Sequence, residues 1–264
     1  MTIGFFHIPK TAGLYLTQRI NVALDLPDLS IHKVLNFEDI SVKSLGEVQN
    51  EIGNQFLIMG QSGYNDEVIS SYPFYGGHLS KFDLIRLNRS FRFTTFIDPW
   101  KRAFSLFNYS LNQSLTPERN LEEQFENWLV NDFKGSIFRQ FYGSKLGESH
   151  DFSDIDFNEE FVAFFDSIYL SSPDEVISSL QKQEDLGLKA LISGPAVNKA
   201  AGVNYFKFIK FSAERLYDIF CESLQPEMEL IEFIKKFSNN GESSLKTHYT
   251  SSEFELLYNQ YRSK

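Results

Sequence analysis

The chain is poor in the residues that would tie it to several large function classes. It has one cysteine, Cys221, in 264 residues, which excludes an internal disulfide framework and a cysteine-built zinc site. No apolar run reaches the ~18–20 residues of a membrane span. The N-terminal MTIGFFHIPK lacks the basic start and long apolar stretch of a secretory leader, so a reducing, cytoplasmic setting is expected. Basic charge is scarce: 25 Lys and Arg stand against 35 Asp and Glu, a net charge of −10. Non-specific nucleic-acid binding draws on phosphate neutralisation, so no nucleic-acid partner is expected. The acidic excess lies within residues 111–264, while residues 1–110 balance. Any anion must therefore be held by a local pocket. The motifs G-x-x-x-x-G-K-[ST], H-E-x-x-H and G-x-S-x-G are absent, which leaves an ordinary NTPase, zinc hydrolysis and serine hydrolysis without support.

Phenylalanine is abundant, with 27 residues, and aromatics make up 16% of the chain. This reads as core material, because a chain of this length buries roughly three quarters of its unfolded surface. Thr2 to His7 is a short apolar run of β character. Pro9, Lys10, Thr11, Ala12 and Gly13 follow it, and Leu16, Ile20, Ala23 and Leu24 then recur at helical spacing. The pattern predicts strand, tight loop, helix. Phe56–Met59, Phe91–Ile97 and Ile168–Leu170 are further strand candidates, and a helix is expected from Pro99 to about Leu111. Thr116-Pro117-Glu118 predicts another helix start, with Leu121, Phe125, Trp128 and Leu129 on one face. Ser172 with Glu175, and Pro173 at the first helical position, predict a helix to about Gln183. Two helices are expected over 213–223 and 227–237, and a last over 252–262 opened by Ser252 with Glu255. Strands alternating with helices imply an α/β fold with a mainly parallel sheet flanked by helices, in a single domain over residues 1–264.

A strand, a short loop and a helix start make a physical device for holding phosphate or sulfate. The first helical turn presents unpaired N–H groups, and the helix dipole adds about half a positive charge there. Gly13 lets the backbone approach closely, Lys10 supplies a mobile charge and Thr11 a hydroxyl. The same pattern also fits an ordinary βα turn with a solvated lysine.

The residues His7-Ile8-Pro9-Lys10-Thr11-Ala12-Gly13 resemble the 5′-phosphosulfate loop of sulfotransferases that use 3′-phosphoadenosine 5′-phosphosulfate (PAPS), in particular the carbohydrate-type pattern H-x-P-K-T-A-G-T-S. The match departs at Leu14 and Tyr15, where the family has Thr and Ser; Tyr15 or Thr17 is the available replacement. The resemblance implies a P-loop-like sulfotransferase fold, with Lys10, Thr11, Ala12 and Gly13 at the 5′ end of the nucleotide and Lys10 contacting the transferring group. It also implies PAPS as co-substrate and no metal.

A second family element, R-D-P-x-x-R-x-x-S-x-Y, is similar to Ile97-Asp98-Pro99-Trp100-Lys101-Arg102-Ala103-Phe104-Ser105-Leu106-Phe107-Asn108-Tyr109. Arg102 and Ser105 are three apart and share a helix face; the resemblance assigns both to the 3′-phosphate. Ile97 stands where the family has its first arginine, with Arg89, Arg92 and Lys101 as possible substitutes. Tyr75-Gly76-Gly77-His78-Leu79 resembles the G-H segment of these enzymes. Histidine suits removal of a hydroxyl proton near neutral pH, so His78 is the candidate base, with Asp66 and Glu67 in reserve and His7 read as loop support. Weaker likenesses lie at Phe165–Leu170, at Asn198 and at Glu253–Tyr258. The implied activity is sulfuryl transfer to an acceptor hydroxyl on a carbohydrate or small metabolite. The alternatives are a catalytically degenerate module binding a nucleotide or glycan, and transfer from a different phosphorylated donor. Asn88, Asn108 and Asn112 begin glycosylation triplets that read as chance matches without a leader.

Overall fold

Thr2–Phe6 forms strand β1, and Ile3, Phe5 and Phe6 on it are completely buried. An apolar run buried on both faces is what the centre of a parallel sheet requires. The computed structural model describes residues 1–24, 34–35, 57–58, 74–85, 90–113, 120–143, 156–189, 203–237 and 245–263. In chain order, the other described strands are β2 (Val34–Leu35), β3 (Leu57–Ile58), β4 (Phe74–Gly77), β5 (Ser90–Thr95) and β6 (Ser167–Tyr169). Four of the six form an all-parallel sheet in the order β4-β1-β5-β6, and β2 and β3 form a separate parallel pair. Phe6 lies opposite Gly77 on one side and Thr94 on the other. The architecture is α/β, a parallel sheet flanked by helices.

The described helices are α1 (Gly13–Ala23), α2 (Lys81–Ile85), α3 (Pro99–Gln113), α4 (Leu121–Trp128), α5 (Ser136–Tyr142), α6 (Phe157–Phe164), α7 (Pro173–Gln181), α8 (Ala213–Phe237) and α9 (Ser251–Ser263). The chain divides into two compact units, Met1–Phe96 with Phe138–Val197, and Ile97–Ile137 with Asn198–Lys264.

The first unit contains the four-stranded sheet. On one face Ile3, Phe5, Phe91 and Phe93 pack with Leu16 and Ile20 of α1 and Val176 and Leu180 of α7. The Phe5 and Phe93 rings stack with centroids 4.6 Å apart. On the other face Phe6 meets Phe141 of α5 and Phe161 of α6 edge-on. Helix α7 starts with the expected capping box: Ser172 N–H donates to Glu175 Oε2 at 2.8 Å, and Glu175 N–H to Ser172 Oγ at 3.4 Å.

The second unit is helical around an aromatic core of Trp100, Phe104, Phe107, Phe125, Phe206, Phe220, Phe254 and Tyr258. Its Trp128 packs at the edge of that core. Helix α4 is capped by Asn120, whose side chain accepts from Glu123 N–H; the expected start at Thr116–Glu118 lies outside the described residues. A π-helical turn, Leu129–Phe133, continues α4. Asn108 and Asn112 each bond backbone of the 203–205 segment, where Asn108 Oδ1 accepts from Tyr205 N–H and Asn112 Oδ1 from Val203 N–H.

Two expectations are corrected here. The region 213–237 is one continuous helix, with Pro226 inside it. Proline in a helix interior costs about 3 kcal/mol. A buried stripe from Leu216 through Phe220, Leu224, Leu230 and Ile231 to Ile234 outweighs this, at roughly 1.5–3 kcal/mol per large apolar side chain. Helix α9 begins earlier than expected, at Ser251. Its reciprocal cap is Thr250 with Glu253 (Thr250 N–H to Glu253 Oε2 2.9 Å, Glu253 N–H to Thr250 Oγ1 3.3 Å) rather than Ser252 with Glu255. Among the described residues, no helix is long and apolar enough to cross a membrane.

Candidate functional site

The segment after β1 leads to β4 on one side of the central strand, and the segment after β5 leads to β6 on the other. In open parallel sheets, ligands bind outside the carboxyl ends of the strands where chain direction diverges in this way. The turn Ile8–Ala12 leaves β1 at that end of the sheet. Lys10 and Ala12 both take left-handed backbone, with φ of 70° and 62°. For a residue with a Cβ this costs about 1–2 kcal/mol, and such outliers gather where a ligand needs a preset backbone.

The turn is braced from below. Thr11 is buried, its N–H and Oγ1 both donate to Ile8 O (3.2 and 2.8 Å), and its Oγ1 accepts from Thr95 Oγ1 at 3.1 Å. The Thr11 hydroxyl therefore holds the loop together rather than facing outward as the sequence suggests. The first backbone bond of α1 runs from Leu16 N–H to Ala12 O, so the N–H groups of Gly13, Leu14 and Tyr15 lack acceptors within their own helix. Half-buried Lys10 stands beside them, and burial lowers its pKa below the ordinary lysine value.

Gly13 is sterically required. A Cβ there would lie 2.1 Å from the His7 ring. The same His7 ring faces that of His78, with centroids 4.9 Å apart. His7 N–H donates to Gly77 O at 2.8 Å, which seats the segment after β1 beside the segment after β4. Solvent reaches His78, yet the protein mass around its ring lowers its pKa by desolvation. The structure thus brings Lys10, Thr11, Ala12, Gly13 and His78 together through His7. Gln140 Nε2 donates to His7 O (3.0 Å) and to Leu79 O (3.4 Å). Beyond His78, Lys81 pairs with Glu160, which also accepts from Tyr142 Oη, and the Lys81 ammonium lies 4.2 Å from the Tyr142 ring centre.

Tyr15 points away from the turn: its hydroxyl donates to Asp174 at 2.5 Å, and its ring joins the core. Thr17 is buried. Arg92, one possible substitute for the missing arginine, has Nε on Ser90 Oγ and its guanidinium over the Phe164 ring.

In the second unit, Asp98 acts as a helix cap: Oδ1 accepts from Trp100 N–H (3.0 Å) and Lys101 N–H (3.2 Å), and Oδ2 accepts from Tyr249 Oη. Arg102 is only 1% exposed. Its Nε and Nη2 donate to the two Glu227 carboxylate oxygens at 2.8 and 2.5 Å, and its guanidinium lies 4.3 Å from the Phe133 ring centre. Its charge is matched inside the protein. Ser105 is half-buried on the same helix and Lys101 is exposed. Asp66, Glu67, Arg89 and Asn198 lie outside the described residues. Among the described residues, no group of three or more His, Cys, Asp and Glu side chains is arranged to hold a metal ion.

Three residues that matter here escaped the sequence reading: Thr95, Gln140 and Glu227. The paired hydroxyls Thr94-Thr95 at the end of an apolar strand are a readable signal; Gln140 and Glu227 carry none. No family model, no curated protein and no solved structure matches the chain.

Proposed function

We propose that the chain is a PAPS-dependent sulfotransferase of P-loop-like fold, acting in the cytoplasm on a hydroxyl of a carbohydrate or small metabolite. The observation that carries this reading is the left-handed pair Lys10 and Ala12 in the turn leaving the central strand, within the segment that resembles a phosphosulfate loop. Backbone N–H groups opening α1 hold the 5′-phosphosulfate, and the Lys10 ammonium neutralises charge developing on the bridging oxygen. Preorganised donors of this kind do most for the rate. The acceptor oxygen forms its bond to sulfur as the sulfur–oxygen bond to phosphate breaks. The electron pair leaves with 3′-phosphoadenosine 5′-phosphate, and the acceptor proton passes to His78. Thr11 and Ala12 shape the loop and Gly13 admits the His7 ring. The resemblance alone assigns Ser105 to the 3′-phosphate; Arg102 holds its own helix through Glu227.

A second reading is favoured by the Arg102–Glu227 pair and by Ile97 in place of an arginine. A charge-assisted bond is worth roughly 1.5–3 kcal/mol, and losing two such grips on the 3′-phosphate suits a module that binds without transferring. Calorimetry with 3′-phosphoadenosine 5′-phosphate decides first. Binding to wild type and loss of binding in Lys10→Ala are expected; absence of binding to wild type rejects both readings. A ligand at ~100 times its dissociation constant also adds about 2.7 kcal/mol of stability. Transfer of radiolabelled sulfate from PAPS to a panel of sugars and alcohols then separates enzyme from module: no transfer by a protein that binds the product selects the module.

A further inference from the structure

We infer that Gln140 is a positioning residue for this site, its carboxamide tying the carbonyl ends of β1 and β4 so that the Lys10 turn and His78 keep one arrangement. The inference rests on the anion-site reading above and adds a residue to it.

The paired ladder between β1 and β4 ends at Phe6 and Gly77, with His7 N–H on Gly77 O as the next bond. Beyond that point the two chains part, and the carbonyls of His7 and Leu79 leave the ladder. Backbone carbonyls away from water need donors. One –NH2 group with two protons can serve two carbonyls at once, and Gln140 Nε2 does so. The two carbonyls sit on either side of the functional residues. His7 leads through Ile8 and Pro9 to Lys10, and its ring carries Gly13; Leu79 directly follows His78. Fixing the two carbonyls therefore fixes the His7–His78 ring contact and the entry to the anion turn.

Gln140 stands on a firm base. Its neighbour Phe141 packs against Phe6 and Phe161, and Tyr142 is bonded to Glu160, which holds Lys81 of α2. The helix bearing Gln140 is thus anchored to both β1 and the segment after β4.

The test is Gln140→Met, which keeps length and removes both donors. Affinity for 3′-phosphoadenosine 5′-phosphate, read by calorimetry, should fall about five- to tenfold. The ring-proton titration of His78, followed by NMR among the five histidines, should shift toward the ordinary histidine midpoint, a change that loss of packing elsewhere would not produce. Wild-type affinity together with an unchanged His78 titration overturns the inference. Wild-type protein supplies a second readout should the variant fail to fold: the Gln140 carboxamide protons should exchange with solvent more slowly than those of an exposed glutamine, and free exchange overturns the inference. If wild type binds no nucleotide, the anion reading falls by itself. The tie is then judged by the His78 titration and carboxamide exchange.

Discussion

The two anion-like elements differ in what the rest of the protein does with their polar groups. In the second unit the conspicuous groups serve the fold itself. Asp98 caps α3 and accepts from Tyr249, and Arg102 is locked on Glu227 beneath Phe133. In the first unit the Lys10 turn carries backbone strain and a close approach. Two non-glycine residues are held left-handed, a lysine is half-buried, and a glycine is kept bare so that a histidine can lie on it. A motif whose charge is paired internally, as Arg102 is on Glu227 although its Nη1 has no hydrogen-bond partner, is explained chiefly by stability, whereas one that maintains strain points toward a ligand.

Glu227→Ala tests the first half of this contrast and carries the largest expected effect. Removing one member of a buried pair costs about 3–5 kcal/mol, measurable by urea denaturation. Replacing both members with apolar residues, Arg102→Met with Glu227→Leu, should recover most of it. A loss below about 1 kcal/mol would release Arg102 for ligand binding and dissolve the contrast. Gly13→Ala comes next, since overpacking the His7 ring should cost about 1–3 kcal/mol, and His7→Ala in the same chain should relieve it. Failure of that relief would place the conflict elsewhere in the turn.

Lys10→Gly sharpens the second half. Relief of left-handed backbone is worth about 1–2 kcal/mol, and the added freedom of the unfolded chain takes back about 0.4–1 kcal/mol. Stability should therefore stay level or rise by up to about 1.6 kcal/mol while nucleotide affinity is lost. Falling stability would mean that the strain serves the fold. The smallest effect is on pH dependence. Lys10 has a folded pKa below 10.5, so between that value and 10.5 the unfolded chain holds more protons, and stability should rise with pH through this window. Nucleotide affinity should fall through the same window as the ammonium is lost. His78 has a pKa below 6.5, so the acid limb of turnover should lie below that value.

Much of the first unit was legible because its signals are local. The strand–turn–helix at residues 2–23 shows as a change of apolar period around Pro9 and Gly13, and the α7 cap lies within four residues. The α9 start was misplaced because Thr250-Glu253 and Ser252-Glu255 carry the same cap pattern, and the structure forms the first of them. Continuity through Pro226 was hidden because propensity there is overruled by a tertiary stripe. At the site, the Lys10 turn could be read, but its supports could not. Gln140 reaches His7 across 133 residues of sequence, Thr95 reaches Thr11 across 84, and Glu227 reaches Arg102 across 125. No spacing rule links residues so far apart.

Both tryptophans of the chain, Trp100 and Trp128, sit in or against the aromatic core of the second unit. Intrinsic indole emission is therefore a native optical probe of that unit alone, while the sheet-bearing unit contributes only tyrosine light. A denaturation curve followed at tryptophan wavelengths, laid over one followed by far-ultraviolet circular dichroism, reveals whether the two melt as one body, with no label introduced.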